Sequence, residues 1–133
     1  MSKPRNRGGA RAPSQRQLRA GELLRHALVD ILRRDELRDP ALAGVSITVS
    51  EVRASPDLRN ATVYCTPLGV SEISAKQTKI DALNRCARYL RGQLGREIEL
   101  RFTPMLDFRL DESFEEARHI DDLLRRHDVK RDL

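Results

Sequence analysis

Apolar residues recur along this chain with two periods, and each change of period marks an element. From Arg16 to Arg34, Ala20, Leu24, Ala27, Leu28, Ile31 and Leu32 follow a helical repeat, with Arg19, Glu22, His26 and Arg33 on the opposite side. That spacing predicts an amphipathic first helix. It ends in "RDELRDP", because Pro40 disfavours helical geometry at Asp39, and a short "ALAG" turn follows. In "VSITVSEV" the period drops to two: Val45, Ile47 and Val49 alternate with Ser46, Thr48 and Ser50, as in a half-buried strand. Val52 breaks the parity, which predicts a bulge or sharp twist near Glu51. After turn chemistry at Pro56 and Asp57, Ala61, Val63 and Cys65 alternate with Thr62, Tyr64 and Thr66 up to Pro67. The two runs predict an antiparallel hairpin.

Beyond a loop from Pro67 to about Ser74 the helical period returns, with Ile80, Leu83, Ala87, Leu90 and Leu94 as the buried stripe. At 100° per residue, Arg85, Arg88, Gly92 and Arg96 share the opposite face. Alternation resumes in "EIELRF", so Ile98, Leu100 and Phe102 are expected to point inward, with Leu106, Phe108 and Leu110 keeping the same parity. This predicts a third strand from Glu97 towards Leu110, interrupted by Pro104 and therefore near an edge or bulge. "SFEE" reads as a capping box, Ser113 with Glu116, opening a last helix with Phe114, Ala117, Ile120 and Leu124 on one side. Met1 to Gln15 has too few apolar residues to offset its ordering entropy, and reads as a disordered basic tail. The order helix, strand, strand, helix, strand, helix is an α+β layer: a three-stranded sheet with helices on one face. The organisation expected is a tail over 1–15, one domain over 16–112, and a C-terminal helix and tail over 113–133.

Within "RGQLG", Gly92 and Gly95 form a Gly-x-x-Gly, the spacing at which KH domains clamp nucleotides against bare backbone. Leu94 argues against a free clamp loop, since it continues the buried stripe. The alternation beginning at Ile98 also leaves no room for a second helix after the clamp. Gly95 is therefore expected to be the C′ residue that ends the helix in a left-handed conformation. Gly92 carries two readings: a place where a sugar-phosphate backbone comes close, or a small exposed residue simply tolerated at about 1 kcal/mol relative to alanine.

Composition narrows the partner. A chain of 133 residues with 39% apolar content supports one domain with a modest core, and 4% aromatics with no Trp makes base-stacking platforms scarce. The formal charge is +5, and the 25 basic residues are overwhelmingly Arg, whose planar guanidinium pairs with phosphate through two hydrogen bonds. The charge is uneven: residues 1–34 carry nine basic and two acidic groups, whereas 111–133 carry five and eight. Cys65 and Cys86 lack the paired spacing of metal or redox motifs, and His26, His119 and His127 share no ligand spacing. The acidic "DESFEE" and "DD" lack the fixed short spacing of a hard-cation loop. No metal or cofactor is expected, and no secretory or membrane-spanning apolar run is present, so the expected compartment is the cytoplasm. Scattered His and Ser residues offer no nucleophile, base and orienting group that converge, which points away from an enzyme.

The segment "DPALAGVSITVSEVRASPDLRNATVYCTPLG" goes further than periodicity. Its Asp39-Pro40-x-Leu42 turn, the strand with Thr48, Ser50 and Val52, the Ser55-x-Asp57-Leu58 turn and Ala61-x-Val63-Tyr64 resemble the ribosome-binding factor A family. The likeness continues through "LRGQLGREIELRFTPMLDFRLDES" and spans roughly Arg16 to Ser113. It implies a KH-like fold of the bacterial type II, in which a kinked pair of helices replaces the Gly-x-x-Gly loop. The family's kink is usually Ala-x-Gly, where this chain has Cys86-Ala87-Arg88, so both a kink resting on small residues and a smooth helix from Ala75 to Leu94 stay open.

The resemblance also implies a non-enzymatic, monomeric assembly factor. It would bind the immature small ribosomal subunit and its rRNA, assist late maturation including that of the rRNA 5′ end, and matter most in the cold. The residues expected to meet RNA are Arg85, Arg88, Arg91, Gly92 and Arg96 on the long helix, Arg101 beyond it, Arg19 and Arg25 on the first helix, and Arg5, Arg7 and Arg11 in the tail. Glu97 and Glu99 are expected to draw part of that field into local pairs with Arg96 and Arg101. Two rivals remain: a docking module for ribosomal proteins or an assembly GTPase with incidental RNA contact, and a small enzyme acting on RNA.

Overall fold

The first helix, α1 (Gln15–Arg34), begins at a reciprocal cap. The Ser14 hydroxyl accepts from the Gln17 N–H at 3.1 Å, and the Gln17 side-chain oxygen accepts from the Ser14 N–H at 2.9 Å. Helical order thus begins at the edge of the segment expected to be tail. The Gln17 amide nitrogen also donates to the Ala54 carbonyl at 2.9 Å, tying the start of α1 to the sheet. The face α1 buries comprises Ala20, Gly21, Leu24, Ala27, Leu28 and Ile31. At Gly21 a Cβ would stand 2.5 Å from the Val52 carbonyl oxygen, so the helix backbone lies directly on strand backbone. The computed structural model describes residues 12–34 and 37–113; Arg5, Arg7 and Arg11 and the expected C-terminal helix lie outside them.

After α1 a single 3₁₀ turn, Pro40–Leu42, is opened by Asp39, whose carboxylate accepts from the Ala41 N–H at 3.0 Å. Strand β1 (Ile47–Ala54) then pairs antiparallel with β2 (Asn60–Pro67). The register shifts between Val49 and Glu51, so Ser50 is the extra residue of a bulge, and Val49 and Val52 both face the core. The parity break read at Val52 is that bulge. In the connecting turn the Ser55 hydroxyl accepts from the Asn60 N–H at 3.0 Å, Asp57 accepts from the Arg59 N–H at 3.1 Å, and Leu58 adopts a left-handed φ of 61°.

The next helical region is broken rather than smooth: α2 (Ile73–Arg85) and α3 (Ala87–Glu97) meet at Cys86, with φ −92° and ψ 1°. Cys86 N–H reaches the Ala82 and Leu83 carbonyls at 3.2 and 3.0 Å, tightening the last turn of α2 before α3 departs. No glycine is needed there. Instead the Asp39 turn packs at the break, its carboxylate held by Arg85.

Helix α3 runs on to Glu97, which corrects the expectation for Gly95. That glycine lies inside the helix without a positive φ, and its missing Cβ leaves room for the Thr103 hydroxyl, 3.1 Å from where the Cβ would stand. The third strand is also shorter than expected: β3 covers Met105–Leu110 only. Ile98 and Leu100 do pack against the core, but outside any ladder, and Phe102 is half-exposed instead of inward. Pro104, fully buried, separates the two stretches.

The sheet order is β1-β2-β3, with β3 parallel to β2 and at an edge. Asn84 of α2 covers that edge, donating to the Phe108 carbonyl at 2.9 Å and accepting from the Phe108 N–H at 2.8 Å. Leu24, Leu28 and Ile31 of α1, Val49, Val63 and Phe108 of the sheet, and Ile80, Leu83, Leu90 and Leu94 of α2 and α3 close one core on one face of the sheet. This α+β arrangement, with a broken helix before the parallel strand, is the KH-like fold.

Candidate nucleic-acid interface

The break at Cys86 gives α3 its own outward face. Leu90 and Leu94 are buried, and Arg88, Gly92 and Arg96, spaced by four, line the exposed opposite side. Among the described residues, no ion pair or hydrogen bond engages the guanidinium of Arg88 or Arg96. A Cβ at Gly92 would meet nothing within 4 Å, so no packing contact explains that glycine. Two unengaged guanidiniums flanking bare backbone make a surface with the chemistry to pair with phosphates, where displaced counterions would supply the free energy.

The other expected residues are placed differently. Arg85 makes two hydrogen bonds to Asp39, Nε to Oδ2 at 2.8 Å and a terminal nitrogen to Oδ1 at 3.2 Å, which hold the Asp39 carboxyl below its ordinary value, helped by the Ala41 N–H. Arg25 pairs with Glu22 at 3.0 Å on the surface of α1. Arg91 flanks the α3 stripe and donates from Nε to the Thr103 carbonyl at 3.0 Å. Glu97 pairs with Arg34 at 2.7 Å, and not with Arg96 as the sequence suggested. That bridge joins the C-terminal ends of α1 and α3, so Arg19, fifteen residues earlier, stands roughly 22 Å away along α1. Arg19 is exposed near the other end of α1.

Arg101, expected from the sequence, belongs to a second basic cluster whose other members, Arg59 and Phe102, sequence reasoning missed. Arg59, in the hairpin turn, places its guanidinium 5.0 Å from the centre of the Phe102 ring, and Arg101 approaches the same ring to 5.7 Å. The available signal was Pro104, which ends the alternation and frees the preceding residues from the parity of β3. Burial pushes the Cys65 thiol up to about 12, with Asp111 adding to the effect, so at neutral pH it is an apolar packing group. Among the described residues, no group of three or more His, Cys, Asp or Glu could hold a metal ion, and no helix is long and apolar enough to cross a membrane.

The family described as ribosome-binding factor A matches residues 16–124. A ribosome-binding factor A of Maricaulis maris is 60% identical over 93% of this chain and 86% of its own length. The crystal structure of ribosome-binding factor A from Thermus thermophilus superposes with a TM-score of 0.55 at 30% identity, covering 71% of this chain and 94% of that one. A homology model of the Thermus thermophilus factor, fitted into the cryo-EM map of a complex of the 30S with that factor, gives a TM-score of 0.54 at 29% identity, covering 69% of this chain and 91% of that one.

Proposed function

The chain belongs to the ribosome-binding factor A family, and we propose that it binds the immature small ribosomal subunit through phosphates of the rRNA. In this reading it acts in the cytoplasm as a monomeric assembly factor without a cofactor. It assists late maturation, including processing of the rRNA 5′ end, with the greatest requirement in the cold, where misfolded RNA is slowest to rearrange. Catalysis is left to other proteins. The observation that carries the reading is the outward face of α3, where Arg88 and Arg96 flank Gly92 without a partner among the described residues. A relative fitted into a 30S complex supports the choice of particle.

Phosphate neutralisation has a measurable signature, because the logarithm of the binding constant falls with the logarithm of salt by about 0.9 per duplex phosphate neutralised. The test is a salt-titrated binding series with isolated small-subunit rRNA, using the full chain and the double variant Arg88→Glu, Arg96→Glu. Wild type should show a steep slope, and the variant should bind more weakly, its slope shallower by about one for every phosphate it no longer neutralises. Both chains should unfold at the same denaturant concentration, since neither arginine packs in the core. A flat wild-type line would instead favour docking on ribosomal proteins or an assembly GTPase. Cleavage of precursor rRNA by the pure protein would overturn the non-enzymatic reading.

A further inference from the structure

Phe102 has the parity of an inward residue, yet the residue is 50% exposed even with two arginines over its ring. The chain has only three Phe and no Trp, so an aromatic left in water is notable in its composition. The loop that holds it is pinned on several sides. Pro104 is buried, the Thr103 carbonyl accepts from Arg91 at 3.0 Å, and the Thr103 hydroxyl fits against Gly95. The Met105 N–H donates to the Arg59 carbonyl at 2.8 Å, which fixes the loop to the hairpin turn. In that turn Leu58 holds a φ of 61°, a conformation that L side chains rarely adopt, immediately before Arg59. Ring and guanidinium are thus brought together by backbone on both sides. Arg91, which anchors the loop, belongs to the same helix as Arg88 and Arg96.

We propose that Phe102, with Arg59 and Arg101, is a stacking subsite for one unpaired RNA base, set beside the phosphate-binding face of α3. The proposal rests on the RNA-binding reading given above. Planar bases stack on aromatic rings and on guanidinium planes, and an exposed aromatic with two guanidiniums close to it offers both kinds of surface, with donors left for the adjoining phosphates. An apolar protein partner fits less well, because covering the ring would take two guanidiniums out of water without a counter-charge. The factor therefore discriminates between RNA with an unpaired nucleotide and RNA that is fully paired.

Because the chain has no Trp, Phe102→Trp places a single tryptophan at the site, excited at wavelengths where the two tyrosines do not absorb. The full chain carrying it is titrated with two oligoribonucleotide hairpins of equal length, one fully paired and one with a single-nucleotide bulge. The bulged hairpin should quench the fluorescence and the paired one should not. In parallel, Phe102→Leu, which keeps an apolar side chain but no ring, should bind the bulged hairpin roughly tenfold more weakly, within the range of one base–aromatic stack. Its binding to the paired hairpin and its unfolding midpoint should match wild type. The subsite is refuted if Phe102→Leu leaves both affinities unchanged or lowers both equally. If wild type binds neither hairpin in a salt-dependent way, the RNA-binding reading itself fails; if it binds both without preference, only the subsite does.

Discussion

Helices α1 and α3 both carry a glycine in their interior, and the two glycines meet opposite surroundings. Gly21 of α1 is buried, with the Val52 carbonyl where a Cβ would go, whereas Gly92 of α3 opens onto empty space between two exposed arginines. In the first case the missing side chain is explained by a neighbour within the molecule. In the second it is not, and the bare backbone faces the same way as Arg88 and Arg96. The contrast separates a contact that makes the fold from a surface that no contact in the fold accounts for.

The largest effect should come from filling the first gap. Gly21→Ala forces a methyl group against a carbonyl of the strand that carries the bulge, and backbone on both sides cannot yield as a flexible side chain would. Overpacking of this kind costs up to about 3 kcal/mol, against which the better helix propensity of alanine returns about 1. The expected net loss is about 2 kcal/mol, read as a lower midpoint in urea denaturation. A neutral Gly21→Ala would show that α1 does not sit so close to β1.

The same change on α3 should have the opposite sign. Gly92→Ala meets no neighbour, so stability should rise by about 1 kcal/mol from helix propensity alone. If phosphate approaches that strip of backbone, the more stable variant should bind rRNA less tightly. Unchanged affinity would remove Gly92 from the interface and leave the arginines in it. Gly95→Ala is the intermediate case: its Cβ would stand 3.1 Å from the Thr103 hydroxyl, so the propensity gain is offset and little net change is expected.

These glycines also mark how far local pattern reaches. The period-two runs of β1 and β2, and the bulge between Val49 and Glu51, are legible because each position answers to one buried face. Gly95 reads as a helix stop because the usual reason for glycine near a helix end is a left-handed φ. Here the reason is a passing loop that no local pattern reveals. Ile98, Leu100 and Phe102 alternate like a strand, but alternation records which side chains could be buried, not which backbone is paired. The break at Cys86 is undecided from the sequence for a similar reason, since the turn packed beside it holds Asp39, 46 residues from its partner Arg85. In the candidate site the arginine stripe follows from 100° spacing, while the engagement of Arg85 and the exposure of Phe102 depend on tertiary neighbours.

Arg85 and Arg88, three residues apart across the break, sharpen the comparison with the smallest effect. Arg85 is half-exposed and bonded to Asp39, so the pair should contribute only modestly to stability at neutral pH. The Asp39 carboxyl is held below its unfolded value, first by Arg85 and then by the Ala41 N–H. A group shifted in that direction stabilises the fold above its unfolded pKa, about 3.9, and loses that contribution as the pH falls through the lower folded value. Asp39→Asn should therefore melt slightly below wild type at pH 7, with the gap closing as the pH drops below about 4; a gap that widened on acidification would contradict the assignment. Arg85→Ala should move the same acid profile while leaving the salt slope of rRNA binding nearly intact. Arg88→Ala should do the reverse, and if both variants changed the salt slope equally, the division between a structural arginine on α2 and a binding arginine on α3 would not hold.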